Sequence, residues 1–126
     1  VSNAVIAGYK GDRCQIDVKV DAAGPLVSFK GVINDVDPQV FMDPLFDKLH
    51  QHMVGKSNAQ VVVDLTNLAF MNSCGIKAFI KWVTRQGKTA DAYKVILRHA
   101  RQVTWQETSL RAVAMLARNV VVLEGV

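Results

Sequence analysis

From Cys14 to Asp21, apolar and polar positions alternate, with Cys14, Ile16, Val18 and Val20 set against Gln15, Asp17, Lys19 and Asp21. A period of two over this length predicts a strand with one wet face. Residues 21–25, Asp-Ala-Ala-Gly-Pro, carry turn chemistry, and residues 26–33 predict a second strand, its hairpin partner. Asn34-Asp35-Val36-Asp37-Pro38 then breaks regular structure.

The period lengthens after this break. Asp43-Pro44 predicts a helix start, because aspartate caps and proline is tolerated in the first turn. Leu45, Phe46, Leu49 and Met53 follow at helical spacing, and Gly55 closes the helix. Residues 60–65 are largely β-branched and apolar, which predicts a strand covered on both faces. A loop over residues 66–72 leads to a second helix near Ser73, with Ile76, Phe79, Ile80 and Val83 as its buried stripe and Gly87 at its end. Residues 93–98 predict another short strand. Thr104 and Glu107 have capping-box spacing ahead of a third helix, with Leu110, Val113, Ala114 and Ala117 inward. Residues 120–123 complete the set as an edge strand. A hairpin followed by alternating helices and strands predicts a single α/β domain over residues 1–126, with a mixed, mostly parallel sheet and three to four packed helices.

Composition narrows the function. Half of the 126 residues are apolar and 21% are charged, ordinary values for a globular chain able to bury a core. No apolar run approaches the ~20 residues a membrane helix needs, and the first residues do not read as a signal peptide. Cys14 and Cys74 form no ligand spacing, and free thiols without an export signal point to the cytoplasm. The net charge of +4 comes from scattered cations. Their fullest stretch, residues 94–101, lacks the interleaved aromatics of RNA-binding sheets, so nucleic acid is not an expected partner. His50, His52 and His99 have no metal-ligand spacing, and no enzyme signature is present, so no metal, cofactor or catalytic residue is assigned.

The candidate chemistry lies at Asn72-Ser73-Cys74, where a strand delivers three small polar residues to a helix start. Backbone N–H groups there lack intrahelical partners and the dipole is positive, so an anion is favoured, including a phosphate on Ser73 itself. Simple capping by Asn72 or Ser73 explains the same residues. Gly75 in the first turn costs up to ~1 kcal/mol against alanine, which a close approach of partner, backbone or sheet would offset. Cys74 at a helix N-terminus is a candidate thiolate, although no histidine or second cysteine stands near it in sequence. Lys77, Lys81 and Arg85 fall at four-residue spacing as a basic ridge, read either as a solvated face or as a docking strip for an acidic partner, with Trp82 at its flank. Asp35 and Asp37 reach the same rim if the second and third strands run parallel.

The segment VVVDLTNLAFMNSCGIKAFI, Val61 to Ile80, resembles the signature of STAS domains, especially bacterial anti-sigma factor antagonists. In that family a buried strand ends in Asp-Leu, an apolar pair follows in a short loop, and Asp-Ser-Ser-Gly opens the helix. The matching positions here are Asp64-Leu65, Phe70-Met71 and Asn72-Ser73-Cys74-Gly75-Ile76. The resemblance implies a non-enzymatic module that switches partners through reversible phosphorylation of Ser73. Its implied partners are a serine kinase that is also an anti-sigma factor, and a phosphatase. Asn72, Ser73, Cys74, Gly75, Lys77, Lys81, Asp35 and Asp37 would form the partner surface. Asn72 stands where the family has aspartate, keeping the cap and losing a charge, and Cys74 replaces the second serine. Two alternatives accompany this reading: an accessory or ligand-sensing subunit without a phospho-switch, and an enzyme with Cys74 or Ser73 as nucleophile.

Overall fold

Alternation in the sequence becomes a sheet with one wet face. The computed structural model describes residues 6, 8–21, 24–54, 59–89 and 92–126. In chain order the elements are β1 (Tyr9–Lys10), β2 (Cys14–Asp21), β3 (Gly24–Ile33), α1 (Gln39–Met53), β4 (Gln60–Met71), α2 (Ser73–Gly87), β5 (Lys94–His99), α3 (Thr104–Leu116) and β6 (Val121–Gly125). The six strands lie side by side in sequence order. β1–β2 and β2–β3 are antiparallel, whereas β3–β4, β4–β5 and β5–β6 are parallel, so the predicted mixed sheet with an N-terminal hairpin is observed. The short strand β1 was not foreseen.

α2 packs between α1 and α3, and the three helices cover one face of the sheet. β4 shows this most clearly. Val61, Val63 and Leu65 are fully buried, while Val62 and Asp64 are half-exposed. The expected two-sided cover is therefore corrected: the β-branched run reflects strand propensity, and among the described residues no helix covers the other face. An in-register apolar row, Leu26–Val62–Ile96–Val122, crosses that face.

The helix starts also differ from expectation. α1 opens at Gln39, directly after Pro38, so Asp43-Pro44 lies inside the helix. The Pro44 ring deprives the Val40 carbonyl of a donor, a loss tolerated because Val40 is exposed. Met53 ends the helix, and Gly55 lies outside the described residues. α3 begins with Thr104 already helical after an N-cap at Val103, so the capping box does not form. Glu107 pairs with Arg111 instead (2.7 Å). In α2 the buried face turns toward Ala78, Phe79, Trp82 and Val83, leaving Ile76 and Ile80 half-buried, because α1 and α3 flank it on both sides.

Trp82 is core, stacked on Phe46 at 4.5 Å. Its indole N–H donates to the Tyr93 hydroxyl (3.0 Å), leaving the hydroxyl proton for Nδ1 of His50 (2.9 Å). Burial, with Arg85 adding and Asp47 opposing, lowers the His50 pKa from 6.5. The folded chain thus holds His50 neutral where the unfolded chain binds a proton. That contribution to stability is present above about pH 6.5 and is lost as pH falls below it. Urea unfolding should accordingly show a lower midpoint at acid pH than at neutral pH. His50→Gln should narrow the gap; an unchanged gap would remove His50 from this account.

Candidate functional site

Pairing between β4 and β5 ends at Asp64–Arg98, but β4 runs on to Met71 along β3 alone. The predicted loop over residues 66–72 is therefore strand, interrupted by register shifts, and Asn72 is the single residue between β4 and α2. Gly31 sits at one shift with φ +97°. A Cβ there would lie 2.0 Å from the Arg13 carbonyl oxygen, so close approach and positive φ both require glycine.

On the side that β5 no longer covers, α3 satisfies the backbone. Gln106 is fully buried, and its Nε2 donates to the carbonyls of Leu65 (2.6 Å) and Leu68 (2.8 Å) while Oε1 accepts from Ala100 N–H (2.8 Å). The Trp105 indole donates to the Ala69 carbonyl (2.7 Å). Sequence reasoning missed both residues. The available signal was a glutamine on the otherwise apolar inner stripe of α3.

Asn72 joins three segments. Its N–H donates to Ile33 O (2.9 Å), its Oδ1 caps α2 by accepting from Gly75 N–H (2.9 Å), and its Nδ2 donates to Asp35 O (2.7 Å). The amide orientation follows from chemistry, since Gly75 N–H can only donate and Asp35 O only accept. A carboxylate here would keep the cap but set an oxygen against the Asp35 carbonyl. Asparagine serves both bonds at once, which aspartate cannot.

Ser73 opens α2 and is exposed. Cys74 is half-buried, and its carbonyl accepts from Gln39 Nε2 (3.3 Å), which draws the start of α1 to the start of α2. Gly75 is buried. A Cβ on it would lie 2.5 Å from Met71 Cγ, so packing on the sheet accounts for the glycine. Asp35 joins the rim through its bond from Asn72, and Asp37 follows in the same loop, its carbonyl accepting from Val40 N–H (3.3 Å).

The basic ridge does not survive as a free strip. Lys81 pairs with Asp43 (3.1 Å) and Arg85 with Asp47 (2.8 Å), both carboxylates on α1. Lys77 is exposed and in no ion pair among the described residues. What the rim does expose is apolar: Val36 at 96%, Val40 at 71% and Phe70 at 46%. These come from the β3–α1 loop, the first turn of α1 and the end of β4, which the bonds of Asn72 and Gln39 hold around Ser73. No cluster of three or more metal-ligating side chains forms among the described residues.

A sequential six-stranded sheet, three helices on one face and a capped helix opening on a serine define a STAS-like fold, as the resemblance implied. Solved structures share it, two of which follow. One chain of the crystal structure of the diguanylate cyclase SiaD in complex with its activator SiaC from Pseudomonas aeruginosa gives a TM-score of 0.65 at 13% identity, covering 95% of this chain and 99% of that one. An anti-sigma factor antagonist from Mycobacterium paratuberculosis gives 0.60 at 17% identity, covering 91% and 88%. Identities this low speak for the fold alone. No protein-family model matches the chain, and no curated protein does.

Replacing Asn72 by aspartate tests the seam. Loss of the donor to Asp35 should cost about 1–3 kcal/mol, offset by about 0.3–1 kcal/mol from a charge at the helix N-terminus. The expected net is destabilisation, read by urea unfolding, with faster amide exchange in residues 34–38. A more stable variant would show that the bond to Asp35 contributes nothing.

Proposed function

We propose that this chain is a non-enzymatic, protein-binding regulatory module, and that Ser73 is its reversible phospho-acceptor. One observation carries the reading: an exposed serine at a capped helix N-terminus, to which Asn72 and Gln39 tie the segments that carry exposed Val36 and Val40, with exposed Phe70 three residues before it. Apolar groups displayed around one polar residue suit a docking centre. The solved structures with this fold lend support, since one is an anti-sigma factor antagonist and the other a cyclase bound to its activator. By resemblance the partner is a serine kinase that is also an anti-sigma-like factor, and a phosphatase resets the module. The compartment is the cytoplasm, where Cys14 and Cys74 remain thiols.

The switch works through charge rather than refolding. A phosphate on Ser73 brings close to two negative charges to the middle of an apolar contact surface, beside Asp35 and Asp37. Desolvating it against a partner costs several kcal/mol, enough to expel a partner of micromolar affinity. Within the free protein the same phosphate is favoured by the α2 dipole and lies four residues from Lys77, about 0.3–1 kcal/mol of added stability.

A second reading keeps the docking surface without the switch, and Asn72 favours it, because no carboxylate precedes the serine to help position a kinase. Incubation with the serine kinase encoded nearest its gene, and with ATP, separates the two. The switch reading expects one phosphate per chain, absent in Ser73→Ala, and loss of kinase binding by at least a hundredfold in Ser73→Glu. Tight binding with no phosphate, insensitive to Ser73→Glu, would leave the second reading standing.

A further inference from the structure

The two edges of the sheet are built differently. β1 is two residues long and ends in Lys10, which leaves little strand for another chain to add to. β6 is five residues long, Val121–Gly125, and carries no lysine, arginine or proline. Its one charge, Glu124, is held by Arg98 on β5 (2.5 Å). The bonds within the chain show which main-chain groups this edge leaves over. Val95 N–H donates to Val120 O and Val126 N–H to His99 O, so the even-numbered residues of β6 turn their main chain toward β5. The odd-numbered residues turn theirs outward. Val121 N–H is satisfied by Ala117 O (2.9 Å). The N–H groups of Leu123 and Gly125 and the carbonyls of Val121 and Leu123 have no main-chain partner among the described residues.

These leftover groups complement themselves. When β6 is set antiparallel to its own copy about Leu123, Leu123 N–H meets the carbonyl of the copy's Leu123 and Gly125 N–H meets that of the copy's Val121. Both bonds recur in reverse, every free donor is used, and the Val121 N–H already spent on Ala117 is not needed. A register about Val122 would strand Gly125 and ask Val121 N–H to bond twice. The side chains agree with the first register. Leu123 packs against the core from its rim and stays half-buried, and the copy's Leu123 would lie directly across and cover it. Glu124 falls opposite the copy's Val122, so the two carboxylates do not face each other. In the helical layer, Trp105 ties one flank of α3 to Ala69 on β4 (2.7 Å). At 100° per residue, Glu107 and Arg111 lie on the other flank, toward the β6 edge. An antiparallel copy of α3 sets acid against base there, and base against acid.

We propose that β6 is a self-association edge, on which two copies of this chain join antiparallel about Leu123 into one continuous sheet. The contact is two-fold, so the same strand serves both copies. A five-residue strand alone falls short of the roughly 1,000 Å² of a specific interface, and the flank of α3 supplies the remainder. Because the joined strands run in opposite directions, the two Ser73 rims lie at opposite ends of the joined sheet, and each stays open to a partner. The proposal is independent of the phospho-switch, since no residue of the Ser73 rim enters the contact.

Sedimentation equilibrium of the full chain, from micromolar to several hundred micromolar, should show the mass double. Over the same range, hydrogen exchange should slow at least tenfold at the Leu123 and Gly125 amides and change little at Glu124, which faces β5. Under an oxidant, Leu123→Cys should cross-link at that position, because hydrogen-bonded antiparallel partners sit about 5.5 Å apart at Cα, within disulfide reach. Val122→Cys should not, since its copy lies two positions away along the strand. Leu123→Pro removes a donor that the single chain leaves unused, so it should abolish dimerisation. Circular dichroism registers whether that variant folds, and the two cysteine variants decide the matter if it does not. A single-chain mass throughout, or equal cross-linking of the two cysteine variants, would overturn the proposal. So would a doubled mass with fast exchange at Leu123, which would put the contact elsewhere. Slow exchange at Leu123 and Gly125 at every concentration would show the edge covered by a segment of the same chain, and would overturn it too. Ser73→Ala should leave the mass unchanged, so failure of the phospho-switch is read separately.

Discussion

Past Asp64 the strand β4 keeps β3 on one side and, among the described residues, has no strand on the other, and its backbone polar groups must still be satisfied. Much of the candidate site is a response to that constraint. Gln106 and Trp105 reach from the first turn of α3 to the carbonyls of Leu65, Leu68 and Ala69, standing in for the absent strand. Gly31 permits the bulge that keeps β3 alongside, and Gly75 lets α2 start directly over Met71. With the strand held to its last residue, a single asparagine can hand the chain to α2. The seam is strand to Met71 where a loop was expected.

The hydrogen bonds at that point shape the chemistry. Asn72 and Gln39 draw the β3–α1 loop and the start of α1 against the start of α2, so side chains distant in sequence share one rim. Val36, Val40 and Phe70 remain outside the core because, among the described residues, no element covers them. Ion pairs between α1 and α2 engage Lys81 and Arg85, while Lys77 and the rim acids Asp35 and Asp37 are in no ion pair among the described residues. The rim therefore sets exposed apolar side chains beside unpaired acids and the unpaired Lys77.

Much of the fold was legible because burial leaves a period in the sequence. The alternation around Ile16, the apolar strands at Val61 and Val95, and the order of elements were enough for the STAS-like architecture. Cap signals were less reliable, because Asp-Pro and Thr-x-x-Glu recur inside helices as well as at their starts; Pro44 and Thr104 show this. The end of β4 was unreadable because its register shifts break the period of two. Of the site, the serine and its cap were visible locally. The pairing of Lys81 and Arg85 with acids 38 positions away, and the second bond of Asn72, exist only once the helices are packed.

The account stands or falls on whether the seam presents Ser73 for modification. Mass spectrometry of the intact protein purified from its native host measures this most directly. A fraction heavier by one phosphate, with the modified peptide carrying it on Ser73, is the predicted result. A phosphate elsewhere, or none in any fraction of the protein while its kinase is present and active, would contradict it.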